Sequence, residues 1–511
     1  GAMAIQRVGR AFFVDQKPGD FIDDPFATRL ANGSFVATWT ATDIGSDATV
    51  VRARVLFTAD GVPKGNQFDV SAAAGDMYFP HLAALAKGGF AVTWESGDDS
   101  RLRIFDDNGK PTTGEIVLDP GTLASNAVAA GLGNGDVLLA WNELAADRGE
   151  IGLFDAKGNA IGTPLALADA EAIRLSSLAG GGAVALWQTV DTDTGKTGNY
   201  NVQLFTQAGK VSGHELHLKG TADLQPGVVA LLNGGFALAW ETIDKAGHIR
   251  FHDELFGANG KAVGPAQVID SGTSGGDPEF SMTALADGRF ALVWGDKVAT
   301  ADEKNLDGMI VNADGTADGH AFLIAGPGSD ISLWPKVTAL ANGLFTVTWS
   351  DFVAGERVDG AIYDPTVFTG TKAADHWAGG SLADTIKGGG GNDVLSGGQG
   401  HDTLTGGAGR DTFVFDTKPS AANADRITDF APGTDTIALD HAVFTKLAAG
   451  HLAPGAFVAG AKAHDGGDHV LYNPANGHLS YDPDGSGAQP AVLVATLAAH
   501  LHLTASDFIV T

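Results

Sequence analysis

"GGSLADTIKGGGGNDVLSGGQGHDTLTGGAGRDTFV" spans residues 379–414 and places an aspartate at every ninth position: Asp384, Asp393, Asp402 and Asp411. Extending the register backwards adds Asp375. Two residues after each aspartate stands an apolar side chain: Trp377, Ile386, Leu395, Leu404 and Phe413. A flexible Gly-rich linker has nothing to hold such a period. A fixed period with one core-type residue per unit is the pattern of a stacked repeat. Six residues of each unit form a turn and three form a short strand whose apolar member faces inward. Glycine lets backbone carbonyls converge without a Cβ clash. Calcium takes six to eight oxygens and accepts carbonyls readily. Successive turns are expected to alternate between two sides, so that Asp375 stacks with Asp393 and Asp411, and Asp384 with Asp402.

The rest of the chain bounds what such a unit can serve. At 511 residues, two or more domains are expected. A formal charge of -29 argues against nucleic acid, which needs a Lys/Arg footprint, and suits divalent cations. The absence of cysteine excludes disulfides and thiolate chemistry. No apolar run is long enough for a membrane span. Gly1-Ala2-Met3 reads as an expression scar with no apolar signal region behind it.

Ahead of the nonapeptides, one phrase recurs seven times: LANGSFVATW (30–39), LAKGGFAVTW (85–94), LGNGDVLLAW (132–141), LAGGGAVALW (178–187), LLNGGFALAW (231–240), LADGRFALVW (285–294) and LANGLFTVTW (340–349). Each has a glycine six residues before its tryptophan, in a setting where Asn-Gly and Asp-Gly favour tight hairpins. The alternating β-formers that follow read as a strand. A third strand ("RLRIFD", "EIGLFD") and a fourth ("EIVLD", "NQFDV") complete units of 46 to 55 residues, the pattern of a β-propeller blade. Seven copies predict a seven-bladed ring over 1–369. "RAFFVD" (10–15) is expected to supply the missing fourth strand of the last blade and so remove two open edges. One tryptophan at the same place in every blade reads as inter-blade packing rather than a sugar platform.

These phrases resemble the "ALADGGFVVTW" repeats of large secreted calcium-binding proteins of proteobacteria. The nonapeptides resemble the RTX, or hemolysin-type, calcium repeat, with GTKAADHWA (370–378) as a degenerate fifth copy. That resemblance implies a parallel β-roll over 370–415 that binds several Ca2+ ions. It assigns carbonyls of the first and third residues of one turn and the second and fourth of its stacked partner. The ligands so implied are Gly388, Gly390 and Asp393 with Gly407, Gly409 and Asp411, and Gly379, Ser381 and Asp384 with Gly398, Gly400 and Asp402. Leu382 departs from the repeat where a fourth glycine is expected, so a distorted site is expected at that turn.

"DRITDFAPGTDTIALD" (425–440), "VLYNPANGHLSYDPDGSG" (470–487) and "LTASDFIVT" (503–511) resemble the C-terminal domain of serralysin-type metalloproteases, which caps such a roll. Asp429 and Asp435 are candidate extra ligands there, and "DPDGSG" (482–487) reads either as a short calcium loop or as an ordinary turn. The resemblance implies secretion to the extracellular space by a bacterial type I apparatus. The ending Asp507-Phe508-Ile509-Val510 reads as its signal, as the last strand of the cap, or as both. Removal of residues 507–511 is expected to leave folding largely intact.

For the propeller, an extracellular binding or adhesion module is the first expectation, with a glycan or cell-surface partner. A polysaccharide-active hydrolase or lyase is the alternative. "HELHL" (214–218) and "HIRFHDE" (248–254) do not make the H-E-x-x-H protease motif, and His248 with His252 reads as an incidental surface pair. The connections after each tryptophan vary in length and are acidic. They mark a candidate ligand face around Asp98, Asp191, Asp193, Asp302 and Asp351.

Overall fold

The computed structural model describes residues 4–13, 20–43, 46–56, 65–118, 124–143, 146, 148–191, 196–218, 226–243, 248–274, 280–297, 304–325, 335–340, 343–351, 357–379 and 382–511. The fold is all-β, and its only helical pieces among these residues are two single 3₁₀ turns. No helix is long and apolar enough to cross a membrane among the described residues. Contacts divide the chain into two compact units. One is Arg7–Thr316 with Ile324–Tyr363; the other is Gly1–Gln6 and Ala317–Leu323 with Asp364–Thr511.

The first unit is a β-propeller. Its blades are antiparallel sheets whose strands follow chain order, as in Asp20–Arg29, Phe35–Asp43, Thr49–Leu56 and Phe68–Asp69. The recurrent phrase is the hairpin between the first two strands. In the first copy the Leu30 N–H donates to the Ser34 carbonyl (2.7 Å) and the Gly33 N–H to the Leu30 carbonyl (3.0 Å). Gly33 is left-handed at φ +86°, whereas Asn32 acts through its side chain, whose Oδ1 accepts the Ser34 N–H at 3.0 Å. The Asn-Gly pair is therefore one positive-φ residue beside an Asx acceptor, in a longer loop than a two-residue hairpin. Asn134, Asn233 and Asp287 repeat the same side-chain bond.

The tryptophans lie between blades. Trp94 packs with Val36, Val51 and Val55 of the blade before it, Trp141 with Ala91, Leu102 and Ile104, and Trp187 with Leu138, Ala140 and Ile151. Truncating one such side chain would cost about 3–5 kcal/mol. Trp240 is the exception: it is only partly buried and stacks on His252 at 5.6 Å.

Six four-stranded sheets stand as separate blades, not the seven expected. The strands of the seventh repeat, Lys336–Ala339, Phe345–Asp351 and Arg357–Thr369, belong instead to an 11-stranded sheet. The reason is the length of the last of them. It runs for 13 residues; Arg357 to Tyr363 pair antiparallel with Phe345–Asp351, and Val367 to Thr369 pair in parallel with Thr385, Ile386 and Lys387. Strand Ala4–Phe13 also pairs with it. The seventh set meets the first blade: the Thr338 hydroxyl donates to the Ala27 carbonyl at 3.0 Å, and Trp39 packs with Leu340 and Ile362.

In the second unit two parallel stacks face each other. One runs through Val367–Thr369, Thr385–Gly390, Thr403–Ala408 and Asp425–Ile427, the other through His376–Ala378, Val394–Ser396, Thr412–Phe415 and Thr436–Leu439. Phe368, Ile386, Leu404 and Ile427 from the first stack and Trp377, Leu395, Phe413 and Ile437 from the second are all buried, giving one apolar residue per rung. Stacking continues past Phe415 into the C-terminal segment, where Phe508–Val510 pairs in parallel with Ile437, Ala438 and Leu439. Phe508 and Val510 are buried and the Asp507 Oδ1 accepts the Gly433 N–H at 2.7 Å. The expectation that residues 507–511 are dispensable for folding is thus corrected: they form an integral strand of the sheet.

Candidate metal centre

The nine-residue period places the aspartates in two buried columns, because rungs on the same side recur every 18 residues. Asp375, Asp393, Asp411 and Asp435 form one column; Asp384, Asp402 and Asp425 form the other. One bond type joins each column. The Asp375 N–H donates to Asp393 Oδ1 (2.8 Å), Asp393 N–H to Asp411 Oδ1 (2.9 Å) and Asp411 N–H to Asp435 Oδ1 (3.1 Å). Across the roll, Asp384 N–H donates to Asp402 Oδ1 (2.8 Å) and Asp402 N–H to Asp425 Oδ1 (3.2 Å). Below the first of each column, every carboxylate therefore spends one oxygen on the amide of the preceding rung.

The other oxygen is what the fold leaves unsettled. Oδ2 of Asp393, Asp402 and Asp411 is buried without a hydrogen-bond partner. No lysine or arginine ion pair reaches these three among the described residues. Burial, then the neighbouring Asp411 and Asp375, pushes the Asp393 carboxyl above its ordinary range. Asp402 is raised by burial and then by the facing Asp425, Asp425 by burial and then by Asp416, and Asp435 chiefly by burial. A desolvated carboxylate oxygen without a partner costs several kcal/mol unless a cation answers it.

The glycines fit around these oxygens. A Cβ on Gly388 would run into Asp393 Oδ2 and the Gly406 carbonyl, and one on Gly406 into Asp411 Oδ2. The first glycine of the repeat is therefore fixed by the carboxylate of its own rung. The second and fourth meet a different demand, shown by Gly389 and Gly391 at φ +98° and +119°. Among the described residues no three carboxylate or imidazole side chains converge as a metal cluster, so an ion here would be held largely by turn carbonyls. That donor set, hard oxygens with one or two carboxylates, is the one calcium takes.

Of the remaining candidates, Gly379, Gly398, Gly400 and Gly409 lie in these turns, Gly390 and Gly407 lie near the ends of strands Thr385–Gly390 and Thr403–Ala408, and Ser381 lies outside the described residues. Asp435 lies within a column. Asp429 is exposed beside it, its two oxygens accepting the Gly406 and Gly407 N–H groups at 2.9 and 2.8 Å. Asp425 was not expected from the sequence, because the thirteen residues between Asp411 and Asp425 break the nine-residue count. Of the ligand-face candidates, Asp98 alone has a described side chain. Asp98 is exposed at the tip of the hairpin joining Phe90–Ser96 to Asp99–Phe105. Asp191 and Asp351 end their strands with side chains outside the described set, where Asp193 and Asp302 also lie.

Comparison with known proteins agrees on the roll. The family model of the RTX calcium-binding nonapeptide repeat matches residues 378–413 in four copies. No curated protein matches the chain. Among solved structures, a protein of unknown function from Dyadobacter fermentans is 15% identical, covering 71% of this chain and 99% of its own, at TM-score 0.44. The β-propeller domain of the Trilobed protease from Pyrococcus furiosus is 9% identical, covering 68% and 94%, at TM-score 0.43. The AlgE6R3 subunit of the Azotobacter vinelandii mannuronan C5-epimerase is 27% identical, covering 28% and 76%, at TM-score 0.21. Residues 378–413 consist of RTX calcium-binding repeats, set in an all-β chain behind a β-propeller.

Proposed function

We propose that this is an exported protein whose roll folds around Ca2+ outside the cell and whose propeller is an extracellular binding module. The observation that carries the calcium half is the set of buried, partnerless Oδ2 atoms of Asp393, Asp402 and Asp411. The ligands are the turn residues and aspartates named above, with Asp425 added at the next rung of its column. In this reading the strands of the seventh repeat serve as a seventh blade closed by Ala4–Phe13, supported by the Thr338 to Ala27 bond. Residues 416–511 act as a serralysin-like cap read by a type I secretion apparatus. The binding face is the one that carries Asp98, with a glycan or cell-surface partner.

Extracellular modules bind calcium at about 10⁻⁴ to 10⁻³ M, so the roll would remain unfolded in a calcium-poor cytosol. Chelation of the full-length chain should expose residues 370–511 to limited proteolysis while the propeller stays resistant. Equal resistance of both regions in chelator and in calcium would refute the proposal.

A further inference from the structure

The innermost strands of the propeller carry a group of cations that the calcium chemistry does not use. Successive first strands contact one another from Asp20–Arg29 round to Lys336–Ala339, which returns to Asp20–Arg29. In each repeat the residue facing the position just before the tryptophan occupies one level of this ring. Phe26 faces Thr38, His81 faces Thr93, Arg174 faces Leu186 and Lys336 faces Thr348. Val128, Gly227 and Ser281 complete the level, which contains no carboxylate. In a chain with 61 acidic and 32 basic residues, three cation-forming side chains at one level are not a product of composition.

The side chains are in contact across blades. The Lys336 ammonium lies 5.3 Å over the Phe26 ring, and the Phe26 and His81 rings are 4.9 Å apart. His81 is lowered to about 3 by burial, then by the charges of Lys336 and of Arg174. The aromatic ring fixes the direction of the ammonium. Arginine adds a fork suited to paired oxygens, and an imidazole N–H adds a neutral donor.

We propose that this level of the propeller binds a small oxyanion, a carboxylate or sulfate group, between Lys336, Arg174 and His81. Convergent cations on a rigid ring offset the desolvation of such a group. The site does not depend on the calcium reading or on the partner of the outer face.

The test uses the full-length, calcium-loaded chain. Isothermal titration with sodium sulfate and with sodium glucuronate is compared with sodium chloride at matched ionic strength. Saturable one-to-one binding is expected, weakened at least ten-fold by Lys336→Met with Arg174→Met and kept within about three-fold by Lys336→Arg. Binding of sulfate alone assigns an inorganic oxyanion; binding of glucuronate as well assigns the carboxylate of an acidic sugar. Heats equal to the chloride control, or a double variant that binds like the parent, overturn the proposal. Should the double variant not fold, an NMR titration of His81 in the parent decides. Its pKa must rise by at least one unit with sulfate present, and an unchanged value overturns the site.

Discussion

Gly388→Ala tests whether the first glycine of the repeat answers to the carboxylate rather than to backbone freedom. Gly388 is not left-handed, so alanine is conformationally allowed there. Its Cβ would nevertheless fall 2.6 Å from the Gly406 carbonyl oxygen and nearer still to Asp393 Oδ2. Moving that carboxylate breaks the bond from the Asp375 N–H, at 2.8 Å, a charged hydrogen bond of about 1.5–3 kcal/mol. Against this, alanine restricts the unfolded chain and returns about 0.4–1 kcal/mol. The net loss of about 1–2 kcal/mol is roughly a 5- to 30-fold change in folding equilibrium. If two ions bind per cooperative unit, the calcium midpoint rises about two- to five-fold. A calcium titration followed by protease resistance of residues 370–511 reads this directly. Gly466→Ala, with open space around its Cβ, is the control and should titrate as the parent. Parent-like behaviour of Gly388→Ala would refute the steric account of the repeat.

Asp253 is fully buried with neither oxygen hydrogen-bonded, at a position where other blades place Ala53, Leu102, Ile151 and Val202. Burial, with Asp314 and Glu254 nearby, raises its carboxyl to about 7. The native state thus holds a proton that the unfolded chain releases near pH 4, so propeller stability should fall as pH rises from about 4 to about 7 and then level off. Asp253→Val should remove that slope and stabilise the propeller at pH 8 by up to about 4 kcal/mol, measured by denaturant unfolding at several pH values. A parent-like pH profile in the variant would count against the assignment. Deleting residues 507–511 removes the buried Phe508 and Val510, about 1.5–3 kcal/mol each, and should lower the calorimetric transition of the second unit by about 10 °C or more. An unchanged transition would show that strand to be peripheral.

The roll was legible in its sequence because its period is local: nine residues fix both the aspartate column and the apolar stack. The hairpin glycines and blade tryptophans were legible for the same reason. What escaped depends on contacts across longer separations. Asp425 joins its column only because the chain between Asp411 and Asp425 loops out and returns. The seventh repeat loses its independent sheet because Arg357–Thr369 runs beyond the phrase that predicts it. The role of Asp393 Oδ1 as an amide acceptor, leaving Oδ2 for an ion, is a matter of distances that no spacing reveals. The His81, Arg174 and Lys336 group assembles from strands separated by up to 255 positions in sequence and has no motif.

The amide-to-carboxylate ladder gives the roll a polarity. The amides of Asp375, Asp393 and Asp411 each take a carboxylate acceptor from the rung after, while the main-chain bonds from Val394, Thr412 and Thr436 run the other way. Interrupting one aspartate therefore strands an amide on its N-terminal side only, while rungs on its C-terminal side keep their full complement. In a one-dimensional stack of nearest-neighbour terms, such one-way dependence makes damage propagate in a single direction. Asp435 and Asp425, as the last acceptors of the two columns, are the anchors from which order can run back along the chain. A lesion at either removes the anchor of its own column, whereas the same lesion at Asp375 frays a single end.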